Sequence, residues 1–232
     1  MKYDTLFHTI LLVLSIFKSS IALDSIAPNQ TLSDDDDTTL VSPNGIFELG
    51  FFSPRNSTER YVGIWFKKVS LQTVVWVANK NRPIAATLSL TSSGNIVVSA
   101  NNSSIWSANS TSRNPVLRLL DNGNLVLSNN NYSWQSFHEP SNTLIPGMRP
   151  GWDLRSDREL FLTSWKSAED PSPGEHTYRM DPKGLPSIIL RRGSDVVYRS
   201  GPWDGVRFGG AAEALHGNTV FTPSFVYNST YV

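Results

Sequence analysis

The 232-residue chain contains no cysteine, which removes disulfide scaffolds, thiolate metal sites and cysteine nucleophiles together. It carries no surplus of charge of either sign: twenty Lys and Arg stand against twenty Asp and Glu. No basic field is available to hold nucleic acid or an anionic lipid surface, so neither is expected as a partner. Charged residues reach only 17%, below the usual quarter, and the Glu/Lys/Ala-rich texture of a helical protein is missing. Beyond the N-terminus no apolar stretch approaches the roughly 18 residues that would cross a bilayer. In place of these the chain is rich in Ser, Thr and Asn, holds seven Trp, and is long enough for one domain and part of a second.

The N-terminus reads as a secretory signal. Lys2 opens a short polar stretch, residues 10–17 are apolar, and Ser20-Ile21-Ala22 places small residues at the two cleavage positions. Residues 1–22 are therefore expected to be removed, with no membrane segment in the mature chain. Secretion changes how the asparagines are read. Asn29, Asn56, Asn101, Asn102, Asn109, Asn131 and Asn228 each stand two residues before Ser or Thr with no intervening Pro, and are expected to carry N-glycans on exposed loops. The protein is expected outside the cell, free or on the outer face of the plasma membrane.

A repeat fills the middle. Residues 88–102 align with 117–131 at a constant offset of 29, each copy bearing a Ser-Gly or Asn-Gly turn pair, at Ser93-Gly94 and Asn122-Gly123. Trp76, Trp106 and Trp134 follow the same beat, and a weaker first copy begins at Asn44-Gly45. One aromatic per unit at a fixed period suggests symmetric units that share a core. Within a unit the period is two. Leu88, Leu90, Ile96 and Val98 alternate with Thr91, Ser93, Asn95 and Ser99; Leu117, Leu119, Leu125 and Leu127 alternate with Arg118, Asn122, Asn124 and Ser128. That alternation predicts half-buried antiparallel strands with the leucines inward.

After about residue 150 the texture shifts to short strands, at Leu160–Trp165, Ser187–Leu190, Val196–Tyr198 and Val220–Tyr227. Turns are expected between them at Asp170-Pro-Ser-Pro-Gly174, Asp181-Pro-Lys-Gly184 and Ser200-Gly-Pro-Trp-Asp-Gly205. This predicts a second all-β unit. The chain stops straight after a strand pattern and a sequon, which reads as a truncated product or partial gene.

Six blocks now stand in order: residues 40–53 (Leu-Val-Ser-Pro-Asn-Gly-Ile-Phe-Glu-Leu-Gly-Phe-Phe-Ser), 61–65, 74–79, Trp134–Phe137 with 142–148, 162–167, and Tyr198-Arg-Ser-Gly-Pro-Trp-Asp-Gly205. Together they resemble the ectodomain of plant S-locus glycoproteins and G-type lectin S-receptor-like Ser/Thr kinases. The resemblance implies an all-β fold: a bulb-type mannose-lectin domain over 23–150, followed over 151–232 by the incomplete beginning of the S-locus glycoprotein domain. The lectin fold is a β-prism of three antiparallel sheets about a pseudo-threefold axis, each giving an aromatic to the centre. In complete relatives a Cys-rich region, a membrane helix and a kinase follow.

The same resemblance points to a sugar site. In bulb lectins each sheet can bind mannose through Gln-x-Asp-x-Asn-x-Val-x-Tyr, and period two puts all five side chains on one face. Laid on this chain the pattern reads Thr91, Ser93, Asn95, Val97, Ser99; then Leu120, Asn122, Asn124, Val126, Ser128; and, in the first copy, Ser42, Asn44, Ile46, Glu48, Gly50. Asn95, Val97, Asn122, Asn124 and Val126 are the candidate carbohydrate contacts of a degenerate site. Losing the Asp acceptor removes a charge-assisted bond worth about 1.5–3 kcal/mol. Against a sugar role, Asn95 and Asn124 serve equally well as turn residues, with Val97 and Val126 covering a neighbouring loop.

Other chemistry is thin. His138, His176 and His216 lack metal spacing, and residues 34–37, four Asp in a row, read as a solvated loop rather than a calcium site. No catalytic motif stands out, so no cofactor and no metal are expected, and the residues of phosphoryl transfer are not present. The leading reading is a non-enzymatic extracellular recognition module, linked to cell-surface signalling or pollen recognition. Its ligand would be a glycan or a protein or peptide at the cell surface, with homo- or hetero-dimers among S-domain receptors. The alternatives are a secreted mannose-binding defence lectin and a non-functional gene fragment.

Overall fold

The computed structural model of the chain describes residues 23–36, 38–82, 86–128, 132–210, 224–226 and 228–231. The expected signal segment, Asn131 and His216 lie outside them. Apart from one 3-10 turn at Ser136–His138, the described residues form strands, turns and irregular chain.

Twelve strands build three four-stranded antiparallel sheets. The first joins β3 (Leu40–Val41), β4 (Phe47–Phe52), β5 (Tyr61–Phe66) and β6 (Val74–Val77). The second joins β2 (Thr31–Ser33), β7 (Thr87–Leu90), β8 (Ile96–Ala100) and β9 (Ser103–Ser107). The third joins β1 (Ser25–Ile26), β10 (Val116–Leu119), β11 (Leu125–Ser128) and β12 (Tyr132–Gln135). The leucine alternation sets the inward faces. Leu88, Leu90, Ile96 and Val98, and likewise Leu117, Leu119, Leu125 and Leu127, are almost wholly buried in one core with Leu49 and Ile64 of the first sheet.

Each sheet gives one Trp to the axis. Trp76, Trp106 and Trp134 stand with ring centroids 6.0, 6.1 and 6.1 Å apart and planes at 69–79°, a closed ring of edge-to-face contacts. In that geometry each positive ring edge meets a neighbour's negative face, which favours it over a stacked trio. The architecture is the expected β-prism. The turn glycines also recur in threes: Gly45, Gly94 and Gly123 all hold positive φ and donate backbone hydrogen bonds to Ser42, Thr91 and Leu120. An L-side chain there would be strained.

Beyond the prism, residues 136–148 fold back beneath it, sending Phe137, Ile145 and Met148 into the core. The hairpin β13 (Gly151–Asp153) and β14 (Arg158–Leu160) follows, and then a fourth four-stranded sheet: β15 (Leu162–Ser167), β16 (Asp170–Asp181), β17 (Ser187–Arg192) and β18 (Asp195–Arg199). Two expectations are corrected. Asp170–Gly174 is not a turn but the start of β16, although Pro171 and Pro173 donate no N–H. The β15–β16 register shifts twice there, so the prolines sit at irregularities in the ladder. Gly174 is required at this point, since a Cβ would lie 2.4 Å from the Trp165 carbonyl oxygen. The strand expected at Val220–Tyr227 falls largely outside the described residues, and Ser224–Val226, which are described, are not strand.

Candidate functional site

A β-prism turns three sheet faces outward, and residues directly opposite each other on neighbouring strands share a face. The three faces have different fates.

The outward face of the first sheet is closed. Gly50 lies opposite Gly63, and neither position has room for a side chain: a Cβ on Gly63 would meet the Phe52 ring at 2.5 Å, and one on Gly50 would meet the Thr39 methyl at 2.7 Å and the Trp65 ring at 3.1 Å. Phe52, Tyr61, Trp65 and Val77 form a second, smaller core, and Trp165 from β15 stacks on Phe52 at 6.4 Å and 24°. Burial, with Asp170 and Glu59 nearby, pushes the Tyr61 phenol up to about 12. At the loop end, the Ser42 hydroxyl accepts from the N–H groups of Ile46 and Phe47. Asn44 donates to the Asp121 carboxylate twice, at 2.8 Å each, while Glu48 takes hydrogen bonds from Thr39, Trp65 and Lys67. The polar positions of the first copy are thus committed to protein partners.

The outward face of the third sheet is filled by its own side chains. Val126, expected to face a sugar ring, is 1% exposed, and Asn124 is 4% exposed. Neither side chain therefore offers surface to a ligand in this arrangement, and the expected sugar contact at these two positions gains no support from it. Val126 sits opposite Arg118 on one side and Gln135 on the other, two long side chains that flank it on the same face. The Asn124 amide donates to Gln135 Oε1 at 2.8 Å and accepts from the Ser136 hydroxyl and the Phe137 N–H, both at 3.2 Å. It pins the chain where it leaves β12. Asn122 remains exposed, its Oδ1 accepting from the Asn124 N–H at 3.0 Å.

The outward face of the second sheet is open. Its register gives two rows, Thr31–Ser89–Val97–Ser107 and Ser33–Thr87–Ser99–Ser104, all exposed or half-exposed. Seven hydroxyl side chains thus surround one apolar residue, Val97, and no charged residue belongs to either row. Asn95 lies just ahead of β8. Its Nδ2 reaches the Ser107 hydroxyl at 2.9 Å and its Oδ1 accepts from the Ser110 N–H at 3.3 Å. Of the five candidate contacts, then, Asn95 and Val97 share the open face. Asn122 stands apart on the third sheet, and Asn124 and Val126 are sequestered there.

The sequence reading missed the residue that closes the axis. Glu139 accepts from the Trp76 indole through its backbone oxygen at 2.9 Å, and from the Trp134 indole through its carboxylate at 3.0 Å. Its setting, His138-Glu139-Pro140, carried no signal beyond a histidine without metal spacing. Beside it, burial pulls the Lys80 ammonium below its usual pKa, the Glu139 carboxylate opposing that, while Lys80 Nζ donates to the Pro140 carbonyl at 3.2 Å. His138 is lowered too, by partial burial and then by the Arg158 guanidinium. Among the described residues no cluster of three His, Asp or Glu is placed to hold a metal ion, and no helix is long and apolar enough to cross a membrane.

The sequon asparagines within the described residues are exposed: Asn29, Asn56, Asn101, Asn102, Asn109 and Asn228. Four of them, Asn29, Asn101, Asn102 and Asn109, hold positive φ in the loops and turns that bound the second sheet.

The chain is similar to several known proteins. The D-mannose binding lectin family matches residues 73–166. An S-locus-specific glycoprotein, S6 of Brassica oleracea, is 40% identical over 225 residues, covering 91% of this chain and 52% of the relative. Receptor-like serine/threonine-protein kinase SD1-8 of Arabidopsis thaliana is 38% identical over 225 residues, covering 91% of this chain and 26% of the kinase. The chain thus spans about half the glycoprotein and a quarter of the kinase. Among solved structures, a monomeric monocot mannose-binding lectin from Gastrodia elata aligns over 49% of this chain and 96% of its own, with 18% identity and a TM-score of 0.38.

Proposed function

Since this chain belongs with the S-locus glycoproteins and S-receptor-like kinases as a lectin-like S-domain, we propose that it is an extracellular recognition module performing no reaction of its own. Residues 23–150 form the lectin unit, and 151–232 begin the S-locus glycoprotein unit. In support, the prism core draws in Phe137, Ile145 and Met148 and, among the described residues, none beyond them. The signal-like N-terminus and the exposed sequons favour a secreted or cell-surface setting, and the kinship favours a role in cell-surface recognition such as that of pollen.

The contact face of the lectin unit is the open one. The observation that carries this is the asymmetry of the three outward faces: aromatic and buried on the first sheet, self-filled on the third, hydroxyl-lined and uncharged on the second. Hydroxyls that both donate and accept suit the hydroxyls of a neutral sugar, and Val97 offers an apolar spot for ring carbons. Without the carboxylate of the full pattern, binding is weak. Titration of the secreted protein with mannose, followed by NMR, is expected to shift the amides of β7, β8 and β9 at millimolar sugar. A Val97→Arg variant loses those shifts. Tight retention on a mannose column, or shifts confined to the first or third sheet, would refute this assignment.

A further inference from the structure

The open face is bounded by the chain's own sequons. Asn29 sits at its β2 edge, where its N–H bonds the Leu90 carbonyl at the end of β7. Asn109 follows β9 at the same end, beside Ala108, whose N–H bonds the Ile96 carbonyl at the start of β8. Asn101 and Asn102 form the β8–β9 turn at the opposite end. Three of the four corners therefore carry an exposed acceptor asparagine. Neither outward face of the other two sheets is bounded in this way by the described sequons. All four asparagines have positive φ and lie in turns or irregular loop rather than within a strand.

The size of the enclosed area matters. Four strands lie about 14 Å across and the five residues of β8 run about 17 Å, which encloses on the order of 240 Å². A stable protein–protein contact needs about 800 Å² from each partner and would have to extend over the corners. One or two sugar rings fit within them.

We propose that N-glycans carried at Asn29, at Asn101 or Asn102, and at Asn109 fence the outward face of the β2–β7–β8–β9 sheet, so that it admits the tip of a sugar chain and excludes a folded protein surface. This inference rests on the reading of that face as the contact face, and it narrows the ligand to a glycan terminus. A protein partner would have to bind elsewhere on the molecule.

The absence of cysteine makes a clean test possible, because one introduced thiol is unique. Ser99→Cys places it on the face, Ser89→Cys is a second position, outside every sequon, should the first fail to fold, and Lys183→Cys on the β16–β17 turn is the control. The proteins are secreted from eukaryotic cells, their glycopeptides are mapped by mass spectrometry, and each is compared before and after endoglycosidase trimming. The fence predicts occupied corners, and labelling by a polymer-linked maleimide about tenfold slower before trimming than after. Labelling by N-ethylmaleimide changes less than about twofold, and the control changes with neither reagent. Unoccupied corners, or equal polymer rates before and after trimming, overturn the proposal. The thiol rates are independent of sugar binding, so a failed mannose titration with slow polymer labelling would refute the contact-face assignment and leave the fence standing.

Discussion

At the scale of single residues, Glu139 shows how a side chain outside every recognised motif can hold the centre of a fold. The Trp134 indole is buried, and its N–H has the Glu139 carboxylate as its acceptor. Replacing Glu139 by Ala strands that donor and is expected to cost about 1–3 kcal/mol, whereas Gln keeps an oxygen in place and most of the stability. Denaturant melts of the two variants, followed by Trp emission, separate the outcomes. Tyr61 yields a pH prediction. Its folded pKa of about 12 lies above the ordinary value near 10, so the stabilisation it brings is full below pH 10 and is lost as pH climbs from 10 toward 12. Unfolding midpoints measured across that range should fall more steeply for the wild type than for Tyr61→Phe. Neither residue announces itself in the sequence: Glu139 sits beside a histidine in a proline-terminated triplet, and Tyr61 opens a strand like any other.

At the scale of strands and loops, the sequence was most informative where one periodicity governs burial. Leu117, Leu119, Leu125 and Leu127 were legible as inward because nothing but the sheet decides them. Val126 was not, because its burial depends on Arg118 and Gln135 arriving opposite it, and those partners exist only once the register is set. The prolines of β16 misled for a related reason: Pro and Gly mark turns in general, and only the shifted β15–β16 ladder makes room for them in a strand. The two repeat asparagines make the contrast measurable. Asn124, itself buried, serves the buried Ser136 and Phe137 at the exit of β12, while Asn95, itself half-exposed, serves the half-exposed Ser107 and the N–H of the buried Ser110. Asn124→Ala is expected to lower stability by about 2–3 kcal/mol, and Asn95→Ala by about 1 kcal/mol, in thermal or chemical unfolding. Equal costs would mean that the two copies still do the same job.

At the scale of the whole molecule, threefold geometry survives in the core while the outside has been divided among different tasks. The beat of Trp76, Trp106 and Trp134 made the axis legible, since a central aromatic must recur once per sheet. The use of each outward face was not legible, because it is settled by segments far away in sequence. Trp165 is the clearest case: within the block at 162–167 it marked kinship, yet physically it is the plug that seats β15 on Phe52 and closes the first face. Its indole N–H is buried with no hydrogen-bond partner among the described residues, so the ring serves as shape and apolar area. Trp165→Ala empties the socket and is expected to cost about 3–5 kcal/mol. Trp165→Phe keeps an aromatic against Phe52 and removes the stranded donor, so its cost should be far smaller. If the plug is what fixes the fourth sheet to the prism, Trp165→Ala should also split a single unfolding transition into two. It should then open to hydrogen exchange the backbone bond from the Thr163 N–H to the Ser141 carbonyl, which ties β15 to the segment beneath the prism. A single cooperative transition in the Ala variant, with that amide still protected, would show that residues 136–148 hold the two parts together without it.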